Sequence, residues 1–297
     1  MWRGIAYAVA AAFFFGLSAP LSKELLDGGL DALLLAGLLY LGAGLGPGAR
    51  LLLNRVLGRP NRETPVRRAD WKWLLPSTFC GGVAAPALLT AGIVRASASQ
   101  SSLLLSLESA FTAALAWTVF REPCGRRVLI GMLFIVAGSA VLALRPGRFQ
   151  FEVSWSCLLI AGACLCWALD NNLVRKIAHS DPVEITMYKG LLAGPVNIAA
   201  ALLLGAPLPR PLIVIAALVL GAVSYGLCYE YMIQSMRRIG AARMGAYFNT
   251  APFFGATFSI ALLGERPAAS FWWAAGLMAC GLWLYATEGI ATEKSGP

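Results

Sequence analysis

Residues 95–123 read R-A-S-A-S-Q-S-S-L-L-L-S-L-E-S-A-F-T-A-A-L-A-W-T-V-F-R-E-P. The apolar run is long enough to cross a hydrocarbon core about 30 Å thick. One carboxylate, Glu108, sits near its middle, and Arg121-Glu122-Pro123 ends it. The design returns at 238–265 as R-I-G-A-A-R-M-G-A-Y-F-N-T-A-P-F-F-G-A-T-F-S-I-A-L-L-G-E. Adding 143 takes Arg95 to Arg238, Ala98 to Ala241, Phe111 to Phe254, Ala113 to Ala256, Glu122 to Glu265 and Gly138 to Gly281, without gaps. Self-similarity at a fixed offset is the mark of an internal repeat, here of about half the chain.

Composition sets the class. The 297 residues are 58% hydrophobic and 13% charged, with a mean hydropathy of +0.69; a soluble domain carries about 25% charged residues. Long apolar runs recur along the whole chain, so the expectation is an all-α integral membrane protein. A net charge of +9 would suggest nucleic acid in a soluble chain. Here the arginines fall between apolar runs, so the charge reports topology and no nucleic acid is expected. The seven cysteines form no CxxC pair, and most lie in apolar runs, where cysteine behaves as a small hydrophobe. No metal site or cofactor is expected. The apolar run after Arg3 reaches about 23 residues, too long for a signal peptide's core, and reads as a retained first helix.

Ten spans are expected, at about 4–26, 31–53, 72–94, 97–120, 127–145, 154–176, 183–204, 211–234, 241–263 and 270–287. One side of the membrane collects Arg50, the arginines of the 54–71 connection, Arg126, Arg127, Arg175, Lys176, Arg237, Arg238 and Arg243. The other holds Lys23, Arg95, Arg145, Arg148, Arg210 and Arg266. The richer side is cytoplasmic by the positive-inside rule, which puts both termini inside. Five spans per half is an odd number, so the second half enters from the opposite face. First and sixth spans also correspond, at an offset of 152: Phe15/Trp167, Leu17/Leu169, Leu21/Leu173 and Lys23/Arg175. The expected units are a five-helix repeat over 1–148, its inverted copy over 149–290, and a cytoplasmic tail at 291–297. Inverted repeats characterise secondary transporters, whose substrate site lies near the midplane between the halves.

The motifs L-E-S-A-F-T-A-A-L-A-W-T-V-F-R-E-P (107–123) and T-A-P-F-F-G-A-T-F-S-I-A-L-L-G-E-R-P (250–267) resemble the paired signature of EamA-type transporters of the drug/metabolite transporter superfamily. F-F-G-L-S-A-P-L-S-K (14–23), C-W-A-L-D-N-N-L-V-R-K (166–176), Gly131 and Gly138 add to the resemblance. It implies a basket of ten helices, with spans 1, 3, 4, 6, 8 and 9 around a central cavity. It also implies movement of amino acids or other small metabolites across a bacterial inner membrane, in the direction of export.

Ionisable groups inside a span are costly and point to function or to a partner. Glu108 is a candidate proton-titratable or amine-binding carboxylate; the alternative is a structural carboxylate bonded to nearby serines or a lysine. Asp170, Asn171 and Asn172 spread over about 200° of helix, so they cannot all face one cavity. Lys189, about 10 Å into its span at 1.5 Å per residue, either pairs with Glu108 or Asp170 or snorkels to the interface. Tyr225, Tyr229, Met232 and Met236 share one helical stripe, with Glu230 and Gln234 on a second. Tyr hydroxyls turned inward would suit an amphipathic solute, although such stripes also serve plain packing. Trp167, Tyr247 and Asn249 complete the candidate set. Pro76, Pro86, Gly81-Gly82 and Pro252 mark expected backbone breaks, tolerated where helix borders a cavity.

Other classes fit less well. There is a single histidine, His179, and no HExxH or GxSxG motif, so no catalytic constellation is legible. A channel would want a ring of identical filter groups, which two unlike halves do not supply. The expected partners are a small-molecule substrate, protons as the candidate coupling ion, and the lipid bilayer, around a monomer or weak homodimer. Proton-driven export, passive facilitation and exchange stay open at this point.

Overall fold

The computed structural model describes residues 2–59, 63–93, 104–105, 107–119, 126–143, 155–248, 250–264 and 266–294. Within them the chain is helical and contains no strand: α1 (Trp2–Gly16), α2 (Ser18–Asp27), α3 (Ala32–Val56), α4 (Trp71–Ser77), α5 (Ala85–Ile93), α6 (Leu107–Thr118), α7 (Arg126–Ala143), α8 (Trp155–Arg175), α9 (Pro182–Leu203), α10 (Pro211–Leu220), α11 (Cys228–Ile239), α12 (Ala241–Phe248), α13 (Ala251–Leu263) and α14 (Ala269–Lys294). Six stretches are long and apolar enough to cross a membrane: Trp2–Asp27, Ala32–Val56, Arg68–Ile93, Trp155–Arg175, Pro182–Leu203 and Pro211–Ile239. Shorter apolar helices lie at Leu129–Gly138, Ala251–Leu263 and Ala269–Leu284. This is a multi-pass membrane protein. Large apolar side chains such as Trp155, Leu203, Leu212 and Trp273 stay exposed, as a hydrocarbon solvent allows.

Several spans are broken, each for a local reason. Between α1 and α2, Pro20 has no N–H to return to Gly16, and the Ser18 hydroxyl donates to the Phe15 carbonyl instead (2.6 Å). Between α4 and α5 lies a π turn, Thr78–Ala84, and between α10 and α11 a second, Gly221–Leu227. The two π turns stand 143 residues apart, the offset already seen in the sequence. The ninth span, read as one helix over 241–263, is instead α12 and α13, parted before Pro252. The last helix runs to Lys294, past the expected start of a tail at 291. Of the fourth span, expected over 97–120, residues 94–103, 106 and 120–125 lie outside the described residues, and with them Arg95, Arg121, Glu122 and Pro123; Asn249 and Glu265 do too.

Close packing relies on glycine. A Cβ at Gly190 in α9 would stand 2.3 Å from the backbone N of Gly44 in α3, and one at Gly42 would meet the Leu218 carbonyl at 2.1 Å. Contacts Gly37 to Ile198 and Gly44 to Leu191 run in opposite senses along the chain, so α3 and α9 are antiparallel. The same holds for α7 and α14, where Gly138 faces Met278 and Gly281 faces Gly131. Further antiparallel pairs are α1 with α11 (Gly4 against Ile239) and α5 with α8 (Gly92 against Ile160).

One end of the bundle is laced shut. Arg237 donates to the carbonyls of Ala178 and Ser180 and to Glu63, at 2.7–2.8 Å. The Val66 N–H donates to Glu184 (2.7 Å) and Ser180 to Asp70 (3.0 Å). Arg50 pairs with Glu230. The opposite end, at Lys23, Asp27 and Asp31, opens into a vestibule of about 450 Å³.

Candidate functional site

Pro86, which lines the vestibule, follows closely on the π turn at Thr78–Ala84. The Ala85 N–H reaches back five residues to the Cys80 carbonyl. In that register the Gly81 carbonyl would look to residue 86, which is Pro86 and has no N–H. Two side chains from other helices fill the vacancy: the Tyr40 hydroxyl of α3 and the Trp167 indole N–H of α8 (3.0 Å) both donate to the Gly81 carbonyl. The neighbouring Gly82 carbonyl accepts from Asn197 of α9 (2.7 Å). A break in one helix thus fixes three polar side chains on three others. Such bonds are obligatory where no water reaches, because an orphaned backbone group is costly in hydrocarbon.

Beside this turn lies a buried ion pair. Lys189 binds Asp170, with Asp170 2% and Lys189 3% exposed. The ammonium also donates to the Tyr229 hydroxyl (2.6 Å) and to Ser77 Oγ (3.1 Å). Tyr229 is within 3.1 Å of both Asp170 oxygens, and its ring lies 4.4 Å from the Lys189 nitrogen. Gly81 makes room for this pair: a Cβ there would stand 2.0 Å from Asp170 Oδ2. Of the outcomes open to Lys189, the pair with Asp170 is the one formed.

Glu108 in α6 is 7% exposed. Its Oε1 accepts from Asn171 (2.8 Å), so neither Lys189 nor a serine is its described partner. Thr112, one turn on, donates to the Glu108 carbonyl (2.7 Å). Asn172 turns away to the carbonyls of Thr112 and Ala168, at 3.2 and 2.9 Å. The three therefore serve different partners: Asp170 binds Lys189 and Tyr229, Asn171 binds Glu108, and Asn172 binds backbone carbonyls.

An inner pocket of about 40 Å³ gathers Glu108, Trp167, Asp170, Asn171, Tyr225, Tyr229 and Met232 from the candidate residues and their stripe, and adds Phe15, Tyr40, Cys228 and Phe248. Phe15 and Tyr225 also line the vestibule, so they stand between the two spaces. One described candidate stands apart. Tyr247 lines a separate shallow groove with Phe253, Phe254 and Trp283, and Asn249 lies outside the described residues. Met236 packs beside Met244 and Ala8 in an apolar cluster. Glu230, read only as part of a polar stripe, is Arg50's partner at the sealed end.

Sequence reading missed Phe15, Tyr40, Ser77 and Asn197. Asn197 had a legible signal, a lone amide in an apolar span. Tyr40 and Ser77 had none, because their roles arise from a carbonyl and an ammonium supplied by other helices. The second span also borders the site through Tyr40, beyond the six spans expected there.

The profile of the EamA-like transporter family matches the chain twice, over residues 2–144 and 154–287. An uncharacterized transporter of Methanothermobacter thermautotrophicus is 29% identical over 278 residues, covering 89% of this chain and 80% of that protein. The uncharacterized transporter YyaM of Bacillus subtilis is 25% identical over 187 residues, 59% of this chain and 60% of its own. A solved structure described only as "Crystal structure of protein" superposes with a TM-score of 0.75 over 98% of each chain at 17% identity, a likeness of fold. The two matched stretches contain the polar residues gathered here, and this chain belongs to the EamA-like transporter family, membrane transporters and not enzymes.

Proposed function

We propose that the protein is a secondary carrier that exports small metabolites, amino acids or their analogues, across a bacterial inner membrane by alternating access. The halves 1–148 and 149–290 act as inverted five-helix repeats that rock about the inner pocket. The antiparallel pairing of α3 with α9 and of α7 with α14 supports inversion, since each pairs a helix with its own counterpart. The two π turns at the repeat offset support the duplication itself. Both termini and the laced end are cytoplasmic in this reading, so the vestibule faces outward.

The observation that carries the proposal is the one-sided access. A vestibule of about 450 Å³ narrows to an inner pocket at Glu108, while the far end is sealed by Lys189, Asp170 and Tyr229. A site reached from one side and closed from the other is what a carrier halfway through its cycle presents. Glu108 is the coupling candidate. In proteoliposomes, Glu108→Gln is expected to abolish flux driven by a pH gradient while leaving downhill exchange measurable. Unchanged pH-driven flux in this variant would favour facilitation without protons. A thermal-shift screen of purified protein against amino acids and metabolites finds the solute, because ligands of the folded state raise its stability.

A further inference from the structure

We infer that the solute is a monovalent amphipathic amine: its ammonium sits in the inner pocket beside Glu108, its apolar body lies in the vestibule, and it carries no free carboxylate. This rests on the carrier reading and narrows its substrate class.

The first observation is the charge along the path. The chain as a whole has a net charge of +9, yet the vestibule is lined by Lys23 against Asp27 and Asp31. The inner pocket is lined by Glu108 and Asp170, of which Asp170 is neutralised by Lys189. Among the described residues, both linings therefore carry more acidic than unpaired basic side chains. A cleft of one sign with apolar walls focuses its field and concentrates ions of the opposite sign.

The second is Glu108 itself. The carboxylate is more than nine-tenths buried, borders the inner pocket, and accepts one hydrogen bond from Asn171. Among the described residues no Lys, Arg or His pairs with it. A buried carboxylate without a cation keeps its charge only by gaining one, and otherwise takes up a proton. Six rings, of Phe15, Tyr40, Trp167, Tyr225, Tyr229 and Phe248, enclose the same space, and ring faces attract ammonium groups.

The third is the disposition of cations. A zwitterionic amino acid needs a donor for its own carboxylate, and Lys189 cannot provide it. Its ammonium is already engaged by Asp170, Tyr229 and Ser77. An entering carboxylate would instead stand beside Glu108, a like charge in a poorly hydrated space.

Size sets the orientation. About 40 Å³ admits a head group only, given that one water needs roughly 10–15 Å³ on such a measure. The vestibule, about ten times larger and walled by Leu30, Leu35, Leu39, Leu89 and Ile93, takes the apolar body.

Three probes that differ only in charge test this by calorimetric titration of the purified full-length protein: tryptamine, N-acetyltryptamine without the charge, and tryptophan with the added carboxylate. Tryptamine is expected to bind at least tenfold tighter than either, and Glu108→Gln to weaken it tenfold or more. Asp27→Asn, at the vestibule mouth and remote from the helix contacts, is expected to weaken it by a smaller factor, which keeps the test informative should Glu108→Gln fold poorly. Equal or tighter binding of tryptophan or of N-acetyltryptamine overturns the assignment, as does binding of none of the three. If amines bind but proteoliposomes move none of them, the carrier reading fails and the ligand class stands. If other solutes are moved and amines neither bind nor compete, the ligand class fails and the carrier reading stands.

Discussion

The ammonium of Lys189 and the carboxylate of Asp170, carried on α9 and α8, meet where neither side chain is more than 3% exposed. Tyr229 of α11 and Ser77 of α4 complete the knot, so four helices are tied at one point below the inner pocket. Charges so buried hold only in pairs, because removing one partner strands the other away from water.

Lys189→Met is therefore expected to cost about 3–5 kcal/mol, leaving Asp170 uncompensated. The double variant Asp170→Asn/Lys189→Met is expected to recover most of that loss, since both charges go together. Denaturation of each purified variant in one detergent measures the difference. Equal losses in single and double variants would mean that the pair acts through packing and not charge.

The carbonyls of the π turn at Thr78–Ala84 make a second case. Asn197→Leu leaves the Gly82 carbonyl without its described side-chain donor, for an expected loss of about 1–3 kcal/mol. Tyr40→Phe and Trp167→Phe each leave the Gly81 carbonyl one donor. Combined, they orphan it, so their joint cost is expected to exceed the sum of the single costs. Strict additivity would show that the two donors do not share one acceptor.

Orientation follows from the positive-inside bias and can be read by labelling. In a variant stripped of its own cysteines, Ser22→Cys in the vestibule is expected to react with a membrane-impermeant maleimide added to intact cells. Arg59→Cys, exposed beyond the end of α3, is expected to react only after the membrane is opened. The reverse pattern would turn the molecule over.

Much of this was legible in the residues, for physical reasons. The gap-free offset from Arg95/Arg238 to Gly138/Gly281 exposes the repeat, because two copies of one unit keep their spacing. Charges in apolar runs flag Glu108, Asp170 and Lys189, since a span rarely tolerates them without use. What the residues concealed were relations across helices. Nothing around Lys189 in sequence says whether Glu108 or Asp170 is its partner. Nothing around Tyr40 tells of a carbonyl left open 41 residues away. The break inside the ninth span was signalled by Pro252, but the separation of Tyr247 from the inner pocket depends on how α12 meets α14.

The account stands on a site that faces one side at a time. The most direct test is exchange: proteoliposomes loaded with unlabelled solute, one that stabilises the purified protein, and supplied with the labelled form outside. An alternating-access carrier is expected to show saturable uptake, accelerated several-fold by solute on the far side and, in Glu108→Gln, still measurable but no longer driven by a pH gradient. Uptake that rises linearly with concentration and ignores solute on the far side would contradict it.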